Sequence, residues 1–193
     1  RFAQGLREIN LAAGEPSATR GYTPSVFSQM QSLLERAGQS NKGSITGFYS
    51  VLVDADDLNE PISDAARGIL DGHIVLSRQI AERGHYPAVD VLSSISRCMN
   101  DVVPQEQKEQ ARRVRQMMSV YRDNEDLIVM GAYQKGSNPQ VDEAIQYKQS
   151  IDDFLIQDVE DSTSPDETRE QMARLVGQTP EGTQVQEDPL AAL

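Results

Sequence analysis

Apolar residues recur at helical spacing from the start of the chain. Phe2, Leu6, Ile9 and Ala13 share one face of a 3.6-residue period, and Gly14 is the expected stop. Gly14, Pro16, Gly21 and Pro24 punctuate a loop. Thr23 followed by Pro24 predicts a helix start, a capping residue with proline in the first turn. Val26, Phe27, Met30, Leu33, Leu34 and Ala37 give that helix its inner face as far as Gly38. The pattern then tightens: 45–53 holds Ile45, Phe48, Tyr49, Val51, Leu52 and Val53, predicts a strand, and runs into Asp54, Asp56 and Asp57. A short helix over 62–70, a strand over 73–76 and a helix over 77–83 ending at Gly84 come next. This alternation predicts an α/β core with parallel strands.

Past Pro104 the period is helical throughout. Helices are predicted over 105–123, 124–130 and 141–157, with a loop at Lys135-Gly136-Ser137-Asn138-Pro139 and no strand after Arg97. Val114, Met117, Met118 and Tyr121 line one face of the first helix, while Lys108, Arg112, Arg115 and Arg122 form a basic stripe read as a solvated or interface face. Ile145, Ile151, Phe154 and Leu155 are the apolar set of the third. From Asp158 the composition turns acidic, nine carboxylates against Arg169 and Arg174. Ser164-Pro165-Asp166-Glu167 is a helix start, Met172, Leu175 and Val176 an apolar face, and beyond Gly177 the composition predicts disorder. The expected organisation is an α/β region over 1–103, a small helical domain over 104–157 and an acidic tail, partly helical or disordered, over 158–193.

Charge and composition narrow the function. A formal charge of −12 on 193 residues argues against nucleic acid as a partner, but not against a nucleotide, which needs only a few local positive groups. One cysteine, Cys98, allows no intrachain disulfide and fits a reducing compartment. Neither His73 nor His85 is placed to make it a catalytic thiol, so it reads as a packing residue. No apolar run approaches the ~20 residues of a membrane span. The chain opens in mid-helix pattern on Arg-Phe-Ala-Gln and is expected to be a fragment of a longer protein.

Three segments invite a chemical reading. Gly38 to Ser44 reads GQSNKGS, close to a phosphate-binding loop, but Lys42 precedes Gly43 and a strand comes after it, so it is a turn. Asp54 at the end of an apolar run has the look of a magnesium-holding strand; the other reading is a solvated acidic turn. In Gly84-His85-Tyr86-Pro87-Ala88-Val89-Asp90-Val91-Leu92-Ser93-Ser94-Ile95-Ser96-Arg97, Pro87 disfavours a helical Tyr86. A tyrosine beside a rigid turn can present a flat face to a planar ligand, and an arginine on a strap of small residues can reach a phosphate. The alternative is a buried loop whose arginine pairs with a carboxylate. Arg20, in the first loop, lines an interface or nucleotide site, or is a surface arginine.

GHYPAVDVLSSISR resembles the segment of F-type, flagellar and secretion ATPases that carries an adenine-stacking tyrosine and a trans-acting arginine. GEPSATRGYTPSVF (14–27), LLERAG (33–38), GSITGFYSVLVDADDLNEP (43–61) and ILDGHIVLSRQIAERGHYPAVD (69–90) agree in the family's order, and GAYQKGSNPQVDEAI (131–145) looks more flagellar than injectisome-like. The resemblance covers residues 1 to 157. It implies the last part of a RecA-like nucleotide core followed by a helical C-terminal domain, in a subunit that hydrolyses ATP with Mg²⁺ at the interfaces of a homohexameric ring. That ring energises flagellar type III protein export at the cytoplasmic face of the inner membrane. Tyr86 would stack on adenine in its own subunit's site and Arg97 would reach the neighbour's as a catalytic residue. Asp56, Asp57 and Glu60, in the acidic loop, would face a central-stalk coiled-coil protein, with export-apparatus components as further partners. The resemblance argues against the magnesium reading of Asp54. It places the phosphate loop, the catalytic glutamate and the Mg²⁺ ligands upstream, so this chain alone is expected to bind ATP weakly and not to turn it over. One departure stands out: rotary relatives close the adenine pocket with aromatics, where this chain has Ile156-Gln157-Asp158-Val159. The rival readings are a virulence-type secretion ATPase and a non-enzymatic truncated paralogue whose acidic loop and tail dock partners.

Overall fold

The structure is a computed structural model that describes residues 1–53 and 57–177. Asp54, Asp56 and the stretch past Gly177 lie outside the described residues. The chain divides into two compact units, Arg1–His73 and Ile74–Leu193.

The first unit holds α1 (Phe2–Ala12), a short 3-10 turn (Thr19–Gly21), α2 (Pro24–Leu34), a hairpin of β1 (Gly38–Ser40) and β2 (Gly43–Ile45), and α3 (Pro61–Ile69). Val26, Met30 and Leu34, four residues apart, form the buried stripe of α2. Val26 joins Ala3 and Tyr22, and Met30 and Leu34 join Ala66 of α3, while Phe27 and Ile62 pack against both groups. The cap of α2 differs from its sequence signature. Thr23 is fully buried and its hydroxyl accepts from Asn10 Nδ2 at 3.0 Å, so the N–H of Ser25 goes instead to Glu15 Oε1, 3.0 Å away. That donor lowers the Glu15 carboxyl below its ordinary range.

The strand expected over 45–53 is not there. β2 stops at Ile45 and pairs antiparallel with β1, Gly38 opposite Ile45 and Ser40 opposite Gly43, around a two-residue turn at Asn41-Lys42. Lys42 therefore sits on a hairpin, with no helix to carry it beneath a phosphate. Residues 46–53 form no strand, and Phe48 and Leu52 are 91% and 86% exposed. Apolar character alone does not make a strand; ladder hydrogen bonds to a neighbour do, and no described strand lies beside this run. Among the described residues the strands form two sheets of two strands each.

β3 (Gly72–Leu76) crosses the boundary between the units and is hydrogen-bonded to β4 (Val89–Ser96), with α4 (Arg78–Glu82) between them in sequence. α5 (Met99–Val102), α6 (Gln105–Val129), α7 (Pro139–Leu155) and α8 (Pro165–Leu175) complete the second unit. The two helices expected over 105–130 are one, of 25 residues. Neither glycine nor proline interrupts it, and Asn124 bonds back to the Val120 carbonyl at 2.8 Å rather than breaking the turn. Asn138 caps α7, with Pro139 in its first turn. Ser164 and Glu167 form a reciprocal capping box on α8. One core closes these helices: Val114 and Met117 of α6, Ile151 of α7, Met172 of α8 and Val176, which caps it.

Candidate functional site

The acidic loop belongs to the first unit. Asp57 pairs with Arg20 at 2.9 Å and accepts the N–H of Asn59 at 3.0 Å; the Arg20 hydrogen bond is the main reason its carboxyl lies below the usual range. Arg20 holds this pair from a left-handed backbone conformation, φ 49°, rarely adopted by a residue with a side chain. Glu60 accepts the N–H groups of Ile62 and Ser63 at 3.0 and 3.1 Å and is the N-cap of α3. Two of the three acidic candidates thus have work within the fold, while Asp57 keeps an exposed flank.

The second unit carries Tyr86 and Arg97. Gly84, at φ +74°, ends α4 in the left-handed geometry that glycine adopts at no steric cost, with its N–H on the Ala81 carbonyl. The chain then passes through the cis Tyr86–Pro87 bond into β4. The Tyr86 ring is exposed. Its carbonyl accepts the N–H of Gln157 at 2.8 Å, so the segment after α7 lies against the strap at the tyrosine. An apolar hollow of about 270 Å³ opens beside it, lined chiefly by Pro87, Val89, Val91, Phe154 and Leu155. It is below the ~300–1,000 Å³ of ordinary ligand clefts, and Tyr86 does not line it.

β4 is not a regular strand. Asp90 Oδ1 accepts the N–H of both Leu92 and Ser93 at 3.0 Å, and its Oδ2 accepts the Ser93 hydroxyl at 2.6 Å. The Ser94 hydroxyl donates to the Asp90 carbonyl at 2.7 Å and accepts the N–H of Val75 from β3 at 2.9 Å. Burial pushes the Asp90 carboxyl up, but the Ser93 and Leu92 donors and the charge of Arg122 outweigh it, and the group lies below the ordinary carboxylate range. The strand ends at Ser96 and delivers Arg97, exposed, to the start of α5.

The basic stripe of α6 is exposed at Arg112, Arg115 and Arg122, yet several of its members make bonds. Lys108 donates to the Asn100 carbonyl and Arg112 pairs with Glu109. Arg115 reaches the strap, donating to the carbonyls of Val91 at 2.6 Å, Leu92 at 3.2 Å and Ser94 at 3.3 Å. Sequence reasoning missed β4, whose alternation Asp90 and the serines interrupt, and missed this use of Arg115. The Asp-x-x-Ser spacing of Asp90 and Ser93 was the available signal for the turn. Among the described residues no group of three carboxylate, imidazole or thiol side chains is placed to hold a metal, and no helix is long and apolar enough to cross a membrane.

Residues 1–96 match the profile described as ATP synthase alpha/beta family, nucleotide-binding domain. The chain belongs to that family. Residues 103–174 match the T3SS EscN ATPase C-terminal domain. The chain is 52% identical to the flagellum-specific ATP synthase of Treponema pallidum over 177 residues, 92% of this chain and 40% of that protein. To the type 3 secretion system ATPase of Pseudomonas savastanoi pv. phaseolicola it is 45% identical over 181 residues, 94% and 40% of the two chains. Among solved structures it aligns with the assembled ATPase EscN of enteropathogenic E. coli at a TM-score of 0.88 and 43% identity, covering 91% of this chain and 42% of that one. The same ATPase with its central stalk EscO aligns at 0.81 and 42% identity, over 91% and 42%. The chain thus spans about two-fifths of the length of these relatives.

Proposed function

We propose that this chain is the C-terminal portion of an ATP-hydrolysing subunit that energises flagellar type III protein export, residues 1–103 ending its RecA-like core, 104–157 forming its helical domain and 158–193 its acidic tail. ATP with Mg²⁺ is the substrate, and the Mg²⁺ ligands and phosphate loop belong to the upstream part of the subunit. Tyr86 stacks on adenine in its own subunit's site, and Arg97 stabilises the transferring phosphoryl group in the neighbour's. One observation carries this reading: the two exposed side chains flank opposite ends of an eight-residue strand, on the order of 25 Å of chain. Such a span leaves room for one residue to serve its own site and the other the next, in a ring of like subunits at the cytoplasmic face of the inner membrane. The higher identity to the flagellar relative than to the secretion-system one favours flagellar over virulence export. Asp56, Asp57 and Glu60 form the face toward a coiled-coil central stalk; that EscN, a relative, is solved in complex with a central stalk, EscO, supports a stalk as partner but says nothing of these residues.

Two variants of the full-length subunit test this. Arg97→Ala should cut kcat by ~10³–10⁵ and leave ATP binding by the monomer intact. Tyr86→Ala should chiefly raise KM, with a loss of roughly 1–3 kcal/mol of stacking that Tyr86→Phe largely restores. Turnover by Arg97→Ala within about tenfold of the parent would overturn the assignment.

A further inference from the structure

We infer that Arg115 is a positioning residue for Arg97, fixing from α6 the backbone of the strap that carries it. The inference rests on the trans-acting role proposed for Arg97.

In a regular strand successive N–H groups point to opposite sides. Here those of Leu92 and Ser93 converge on one oxygen of Asp90, so the strand makes a detour between Asp90 and Ser94. Detours of this kind re-aim the residues downstream of them. The detour also brings three carbonyls, those of Val91, Leu92 and Ser94, to bear on a single point, where the Arg115 guanidinium donates to all three. A guanidinium holds its donors in a rigid planar fork, so it sets the spacing of these peptides rather than merely neutralising them. Ser94 is three residues before Arg97.

The base of this clamp is rigid as well. Arg115 lies between Val114 and Met117, which are 5% and 4% exposed in the core shared by α6, α7 and α8. Arg122, seven residues on along α6, adds its charge at Asp90 from the same helix. The long helix of the C-terminal region is therefore tied to the backbone of the strap through the side chain of Arg115. A reacting group displaced by about 1 Å loses on the order of 10²-fold in rate, and that sets the scale of the effect.

The experiment compares Arg115→Ala, Arg115→Lys and Arg115→Gln in the full-length subunit. For Arg115→Ala, kcat should fall about 10- to 100-fold. KM for ATP and nucleotide binding by the monomer should stay within about twofold. Retention of ADP–fluoroaluminate by the assembled ring, which depends on the trans arginine, should fall as it does for Arg97→Ala, while ADP retention holds. Gln, with two N–H donors and no charge, and Lys, with donors but no fork, should each recover part of the kcat; they carry the comparison if the alanine variant does not fold. Unchanged kcat and fluoroaluminate retention in all three variants would overturn the inference. So would a fall in kcat matched by equal losses of ATP affinity and ring assembly, which marks a structural role only. If Arg97→Ala itself keeps its turnover, the underlying reading of Arg97 fails; if it loses turnover and the Arg115 variants do not, only the positioning role falls.

Discussion

Ile151→Ala tests whether α6, α7 and α8 share a single core. Ile151 is 2% exposed and sits with Val114, Met117, Met172 and Val176, drawn from both flanking helices. The substitution deletes three carbons. At about 0.8 kcal/mol for each buried methylene the lost transfer free energy is roughly 2.4 kcal/mol. Incomplete collapse of the cavity adds to it, since neighbours on three helices cannot all move inward, and large-to-alanine changes in cores typically cost about 2–5 kcal/mol. We expect about 3–4 kcal/mol, read as a lower urea midpoint at unchanged slope. Ile151→Val should cost only about 0.5–1.5 kcal/mol. Combining Ile151→Ala with Met172→Ala should depart from additivity by about 0.5 kcal/mol or more, because the two share one cluster. A loss below about 1 kcal/mol, with additive behaviour in the pair, would refute the single core and separate α8 from the other two helices.

Two further outcomes rest on the site geometry. Reversing Asp57 to lysine in the full-length subunit should weaken binding to a coiled-coil stalk partner, more at low than at high salt, whereas Glu60→Gln should act mainly on stability, by about 0.5–2 kcal/mol, because Glu60 caps α3; equal effects on partner affinity at both salt concentrations would count against the docking reading. Asp90, whose carboxyl is lowered from its ordinary 3.8, adds stability that is complete above that value and is lost as pH falls through its lower folded-state value, since the unfolded chain there binds the proton first. Acid titration of unfolding should show this rise of stability with pH in the parent and a shallower one in Asp90→Asn; identical profiles would remove the Asp90 turn as its source.

The helices were legible wherever apolar spacing, a cap and a stop coincided. α1, α2 and α8 lie close to where Phe2–Ala13, Thr23–Pro24 and Ser164–Gly177 put them, because those signals are local. The failures share a cause, which is dependence on partners distant in sequence. The apolar run 46–53 reads as a strand, yet a strand needs a neighbour that no local pattern supplies. β4 escaped because Asp90, Ser93 and Ser94 spend their polar groups inside the strand segment and spoil its alternation. At the site, Tyr86 and Arg97 stood out through the resemblance of the whole segment, not through composition. Arg115 could not be told from Lys108 and Arg112, since helical period puts all three in one stripe while the carbonyls that distinguish Arg115 lie 21 to 24 residues away.

The placement of α8 bears on how the protein is made. Val176, 2% exposed, closes the core that Val114 and Met117 open some sixty residues earlier. Synthesis delivers domains N-terminal part first, at about 5–20 residues per second. Until residue 176 has cleared the ribosome, α6 and α7 display an apolar face with nothing to lay against it. A message that stops before α8 therefore yields a product marked for quality control, because chaperones and proteases act on such exposed surface. In this sense α8 works as a completion signal: only a chain translated through it presents a sealed helical unit.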